Sequence, residues 1–298
     1  MRQLDRREFM GRTAAVVGTA LAGKALGANK PFDTLSGSKR LLLSDTVTLA
    51  NTGVKASRLA IGTGSLGGSE QRKLGISGLV KLFRYGVDQG VQWWDAADMY
   101  KTHPHVQATL REIPRDRVTI TSKTRADTYD GVKADIERFR REMNSDYIDI
   151  CLLHCMTDKD WPAKMTGPMD ALSEAKEKGQ VRAVGCSCHT FEALQAAADN
   201  PWVEVDLARI NPYAEKMDVD RKEDVHKVVE TLELMHQRGK AIYGMKILGE
   251  GAFTSEQMDE SLRFALSKRF LAGFTIGVSS AEQIDDLARR VERLNVHG

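Results

Sequence analysis

Polar and apolar positions alternate along this chain in two repeating patterns. Short apolar or β-branched runs end in polar or ionisable residues, and each is followed by a longer stretch of helical periodicity. The short runs are RLAIGTG (58–64), GVQWWDAA (90–97), VTITSKT (118–124), YIDICLLHC (147–155), VRAVGCS (181–187), VDLARIN (205–211), AIYGMKIL (241–248) and GFTIGV (273–278). The helical stretches lie near 77–89, 104–112, 130–143, 168–178, 190–199, 222–238, 255–268 and 280–294. In the third, Val132, Ile136, Phe139 and Met143 share one face; in the last, Ile284, Leu287, Val291 and Leu294 do. Ser280 with Gln283 three residues on predicts a capping box there. Eight strands alternating with eight helices over roughly 240 residues predict an α/β chain folded as a (β/α)8, or TIM, barrel. A doubly wound sheet is the runner-up, disfavoured because the glycine-rich stretch at Gly62, Gly64, Gly67 and Gly68 is not read as opening directly into a helix. Ahead of that strand, TVTLANTGVKASRL carries a turn at Asn51-Thr52-Gly53 and predicts a short N-terminal hairpin at the bottom of the barrel. The barrel domain is placed at 41–298.

Composition narrows the class. The 298 residues are 42% hydrophobic and 28% charged with 7 prolines, which excludes disorder, collagen and a disulfide-stapled miniprotein. No apolar stretch reaches the roughly 20 residues of a membrane-spanning helix. The net charge of +2 provides no field to hold nucleic acid. Residues 1–30 read differently from the rest. Arg6-Arg7 precedes Phe9-Met10, an Ala/Gly-rich run from Thr13 to Gly23, and small residues near Ala22 and Ala28. That order resembles a twin-arginine export signal, so the export machinery is an expected partner and the periplasm the expected location. Without residues 1–28, which hold five basic and two acidic residues, the remainder is near neutral at −1.

Candidate chemistry gathers at the strand ends, where a barrel carries its site. Asp95 ends the second strand and Tyr100 follows it; Lys123 ends the third and His154 the fourth. Alternation sends Trp93 to the same inner face as Asp95, and Trp94 outward. A phenol, an amine, a carboxylate and an imidazole at one mouth suit protonation of a carbonyl oxygen while hydride reaches carbon. The ammonium is expected to lower the phenol pKa, and the hydride must come from a cofactor. The four cysteines, Cys151, Cys155, Cys186 and Cys188, match no strong zinc spacing and are read as buried small hydrophobes, with no metal assigned.

The motifs TLANTGVKASRLAIGTGSLGG, DAADMY, TITSKT, DICLLHC, GCSCH and IGVSSAEQ make residues 46–290 resemble an aldo-keto reductase. The resemblance implies a barrel that binds an extended nicotinamide cofactor, with Tyr100 as proton donor, Lys123 and Asp95 as its tuning pair, and His154 orienting the carbonyl. It implies that Gly62 and Gly64 admit the nicotinamide end and that Ser187 meets the carboxamide. Cys188 stands where asparagine is common, and Arg209 near a common glutamine. Met245 takes a position often aromatic, Lys246 is the candidate for the pyrophosphate, and Leu248 follows it. The stretch Gly277–Gln283, with Gly277, Ser279 and Gln283 as candidate contacts, has no cation for a 2′-phosphate. NADP(H) is expected from the family, with NAD(H) as the alternative. The chain ends soon after the last helix, so an open pocket is expected, with Met156, Trp161 and Tyr213 as candidate liners.

These readings imply an NAD(P)H-dependent oxidoreductase acting on an aldehyde, ketone or sugar. The alternative is a non-catalytic nicotinamide-binding or regulatory protein on a reductase barrel, motivated by Cys188, Arg209 and Met245.

Overall fold

The computed structural model describes residues 40–296, and the leader assigned to residues 1–30 lies outside the described residues. A hairpin comes first: β1 (Thr46–Thr48) pairs antiparallel with β2 (Lys55–Ser57), Thr46 opposite Ser57. The turn falls where the sequence placed it. Gly53 takes φ 73°, a left-handed conformation cheap only for glycine, and Thr52 Oγ1 donates to the Leu49 carbonyl at 2.7 Å.

Eight parallel strands follow: β3 (Leu59–Gly62), β4 (Trp93–Asp95), β5 (Thr119–Thr124), β6 (Ile148–Met156), β7 (Val181–Cys188), β8 (Val205–Arg209), β9 (Ala241–Met245) and β10 (Leu271–Gly277). Each pairs with its successor, and β10 pairs back onto β3 with Phe274 opposite Leu59, closing the barrel. Closure leaves no edge of unpaired N–H and C=O groups. The helices are α1 (Ser69–Arg72), α2 (Gly75–Asp88), α3 (His103–Leu110), α4 (Tyr129–Met143), α5 (Trp161–Lys164), α6 (Thr166–Glu177), α7 (Phe191–Asp199), α8 (Val225–Gln237), α9 (Ser255–Ser267) and α10 (Ala281–Val296). The single-turn α1 and α5 are additions to the eight expected helices; one turn is too short for a periodicity to show.

Strand alternation divides the apolar residues into two cores. The inner one holds Trp93, Ile150, Leu152, Ala183, Leu207 and Tyr243, with Leu49, Val54 and Ala56 of the hairpin region plugging its bottom. The outer one lies between sheet and helices, where Trp94 stacks on Phe83 with ring centroids 4.5 Å apart. In α4 the predicted face of Val132, Ile136, Phe139 and Met143 is buried. Truncating a ring such as Phe139 to alanine in such a layer typically costs about 3–5 kcal/mol.

The start of α10 departs from expectation. Gln283 Oε1 accepts from the N–H of Ser279 at 2.6 Å, one residue before the position a capping box on Ser280 requires. The two-way box instead opens α9, between Thr254 and Gln257. Trp161 is also reassigned. It is 2% exposed and its Nε1 donates to the Ala193 carbonyl, so it packs between helices instead of lining a pocket.

Candidate active site

Asp95 stands at the last residue of β4, and Lys123 comes up one strand over on β5. Lys123 Nζ donates to Asp95 Oδ1 at 2.7 Å and to the Ala96 carbonyl at 2.9 Å, with Lys123 wholly buried. Two partners not foreseen from sequence complete the carboxylate's surroundings. Tyr243 Oη donates to Asp95 Oδ1 at 3.3 Å, and Thr275 Oγ1 to Oδ2 at 3.4 Å. Their signal was inward alternation in AIYGMK and GFTIG, which marks them as core but not as partners of Asp95. Burial pushes the Lys123 pKa down, and the Asp95 charge opposes that fall.

Tyr100 ends a single turn, Asp98–Tyr100, beyond β4. Lys123 Nζ lies 5.0 Å from its ring centroid, and His154 meets the ring edge-on at 5.7 Å. The phenol pKa moves opposite to the sequence expectation. Burial raises it, and the charge of Asp95 adds to the rise. The ammonium does not reverse this, because Asp95 already neutralises it. Tyr100 is therefore a phenol that keeps its proton until one is demanded.

His154 reaches the mouth because β6 is irregular there. The pairing of β6 with β7 shifts between Leu153 and Met156, and Cys155 takes φ 70°, left-handed and costly for a non-glycine residue. The Cys155 N–H donates to Ser187 Oγ at 2.9 Å, which ties the end of β6 to β7. Burial, followed by the charges of Lys123, His189 and Arg125, pushes the His154 pKa down to about 2, so the imidazole is neutral. Its Nδ1 is buried without a hydrogen-bond partner. His189, not foreseen as a site residue, sits 6.5 Å from His154 between ring centroids, and burial pushes its pKa to about 4.

A cavity of about 110 Å³ runs beside this group, and Gly62, Gly64, Asp95, Tyr100, Met245, Lys246, Leu248 and Gly277 all line it. Eight residues singled out from sequence therefore converge on one groove. Leu207, Thr275 and Ile276 line it as well. Apolar walls, glycine backbone and the Lys246 cation fit one end of an extended nucleotide. Lys246 is itself paired with Glu250. The glycines have a more specific reason than cofactor approach. A Cβ on Gly64 would lie 2.6 Å from Tyr100 Cζ, and one on Gly62 would lie 2.8 Å from Thr275 Oγ1. They let the Tyr100 ring and β10 pack against β3. Gln71, wholly buried, stitches this rim by donating to Ser65 Oγ and the Val278 carbonyl, each at 3.1 Å.

Five expected cofactor contacts lie outside the residues lining this groove. Cys188 is wholly buried in the outer core, beside Cys186 and Asp206, because residues 186 and 188 share the face opposite Ser187. Arg209 is tied to the fully buried side chain of Asp218 at 2.5 Å and to the His189 carbonyl. Burial holds Asp218 up at about 6 against the pull of Arg209. Ser279 and Gln283 bond to one another, outside the residues lining the groove. Ser187 is wholly buried, and its Oγ serves Cys155.

Residues 58–261 match the family described as the aldo/keto reductase family. Among curated proteins, the chain is similar to aldo-keto reductase YhdN of Bacillus subtilis, 24% identical over 49% of this chain and 48% of that one. It is also similar to a 9,11-endoperoxide prostaglandin H2 reductase of Trypanosoma cruzi, 32% identical over 40% and 44%. A methylglyoxal reductase, DkgB, of Salmonella typhimurium is 25% identical over 55% and 64%. The matched stretch thus spans about half the length of the first two relatives. The fold superposes on an aldo-keto reductase from Bacillus halodurans in holo form with a TM-score of 0.66 at 16% identity, covering 85% of this chain and 95% of that one. The PA4992 protein of Pseudomonas aeruginosa gives 0.71 at 19% identity, covering 86% and 98%.

Proposed function

The chain belongs to the aldo/keto reductase family, and from that membership we propose that it is an NAD(P)H-dependent oxidoreductase moving hydride between the nicotinamide and the carbonyl or alcohol carbon of an aldehyde, ketone or sugar. The observation that carries the reading is the Lys123–Asp95 pair, held dry beneath Tyr100 and beside a neutral His154. A cofactor, when bound, supplies the hydride. The side chains handle the proton and the charge. Tyr100 holds its proton at Oη and donates it to the substrate oxygen as negative charge develops there. The Lys123 ammonium then faces a phenolate and stabilises it, while Asp95 keeps that ammonium charged against its burial. Neutral His154 orients the carbonyl by hydrogen bonding, with no net charge to compete for the proton. That two relatives are named as reductases supports writing the reaction as reduction.

Gly62, Gly64, Met245, Lys246, Leu248 and Gly277 would hold the nucleotide along the groove. Family membership supports a nicotinamide cofactor; NADP(H) is our reading, and the lack of any Lys or Arg in 277–283 keeps NAD(H) as the alternative. The test is cofactor oxidation over a panel of small carbonyls. Tyr100→Phe should lose roughly 100-fold or more in turnover, the typical weight of a general acid, while nucleotide still binds. Turnover near that of the parent would reject the assignment.

The proposal extends to location. Residues 1–30 direct twin-arginine export, which carries folded chains, so nucleotide loaded before export travels with the protein. Denaturing the periplasmic form should release nucleotide; an exported chain free of nucleotide would count against this.

A further inference from the structure

The reductase chemistry leaves one buried cluster unused. Residues 186 and 188 sit two apart on β7, so both thiols project from the same face, and the strand register sets Asp206 of β8 opposite Cys186. All three residues are wholly buried. Cys186 Sγ lies 3.8 Å from Cys188 Sγ, and Asp206 Oδ2 lies 3.4 Å from the first sulfur and 3.7 Å from the second. A tetrahedral ion with bonds of about 2.3 Å to sulfur and about 2.1 Å to oxygen requires sulfur–sulfur spacing of about 3.8 Å and sulfur–oxygen spacing of about 3.6 Å. The three donors therefore already mark one face of a tetrahedron of that size. The other carboxylate oxygen, Asp206 Oδ1, is buried and has no hydrogen-bond partner.

We propose that Cys186, Cys188 and Asp206 form a structural site for a divalent, thiolate-preferring ion of the zinc class. Two thiolates and a carboxylate select such an ion over magnesium or calcium, which take oxygen ligands alone. Binding breaks two S–H bonds, forms two metal–sulfur bonds and releases two protons to solvent, with a third from Asp206 where it is protonated. Nothing is oxidised. Without an ion the two thiols stay protonated and donate to Asp206 Oδ2. Burial raises the Cys186 thiol to about 11 and the Asp206 carboxyl to about 7. Three bare anions could not share so dry a site. Because the donors are sealed, the ion enters as the chain folds. Its effect reaches the active site through Ser187, which lies between the two cysteines in sequence and accepts the Cys155 N–H beside His154.

The experiment is to purify the full chain after folding it with zinc chloride, and in parallel with cobalt chloride, then to remove loose metal with a weak chelator. About one ion per chain is expected, with sulfur-to-cobalt charge-transfer absorption in the near ultraviolet. Cys186→Ser and Cys188→Ser should each lower retained metal by roughly tenfold or more, while Cys151→Ser, on the neighbouring strand, should retain it. The cobalt spectrum of the unaltered chain stands even where a variant fails to fold. An unaltered chain that retains no metal, or cysteine variants that retain it fully, would assign the trio to ordinary thiol hydrogen bonding and overturn the site.

Discussion

His154 is held in a state its free side chain would not choose at mildly acidic pH. Its pKa is about 2 in the folded chain against 6.5 as a free group, and that of His189 is about 4. The unfolded chain therefore binds protons that the folded one refuses. This contribution to stability is fully present above pH 6.5 and is lost as pH falls below it. Between pH 6 and pH 4 the parent should lose about 2–3 kcal/mol more than His154→Asn, measured by denaturant unfolding at each pH. Equal losses would show that His154 titrates normally. The same burial removes any histidine break near pH 6.5 from the reduction rate, since neither His154 nor Tyr100 changes charge there. Tyr100 is also where sequence reasoning erred in sign. It counted the ammonium and its carboxylate partner, but neither the dehydration of the ring nor that carboxylate's opposition to a phenolate.

At the level of elements, the ends of strands do the positioning. Gly62, which ends β3, and Gly64, two residues on, are glycines because Thr275 and Tyr100 occupy the space a side chain would need. Gly64→Ala brings a Cβ to 2.6 Å from the tip of the Tyr100 ring, and a ring tip can swing aside. The variant should fold normally yet turn over roughly 100-fold more slowly, as a misplaced catalytic group does. Gly185→Ala is the contrast, since its Cβ would lie 1.8 Å from the Val205 carbonyl oxygen, part of a paired strand that cannot move. That variant should lose stability outright, seen as a lower Tm by circular dichroism. Unchanged turnover in Gly64→Ala would mean that Tyr100 does not depend on the glycine. The alternation of Trp93 inward and Trp94 outward was legible, because it follows from the pleat alone. The irregularity at Cys155 was not, because its cause is a hydrogen bond to Ser187, 32 residues away.

For the whole molecule, closure of β10 onto β3 brings Thr275 and Gly277 beside Asp95 and Gly62, so one groove draws on both ends of the barrel sequence. A nucleotide that fits this groove binds only the folded chain and stabilises it. At a concentration 100 times Kd it should contribute about 2.7 kcal/mol, seen as a rise in Tm. A larger rise with NADPH than with NADH would support the 2′-phosphate preference; the reverse order would favour NAD(H), and no rise with either would count against a nucleotide groove. The hydrophobic rhythm by itself determined eight strands, eight helices, the capping hairpin and the convergence of Asp95, Tyr100, Lys123 and His154, because pleat and helix periods depend on near neighbours in the chain. Tertiary packing determined that Arg209 is consumed by Asp218, which groups surround Asp95, and which charges survive burial. Those outcomes turn on partners far apart in sequence, such as Tyr243 at 148 residues and Thr275 at 180 from Asp95, and on exclusion of water that no local pattern records.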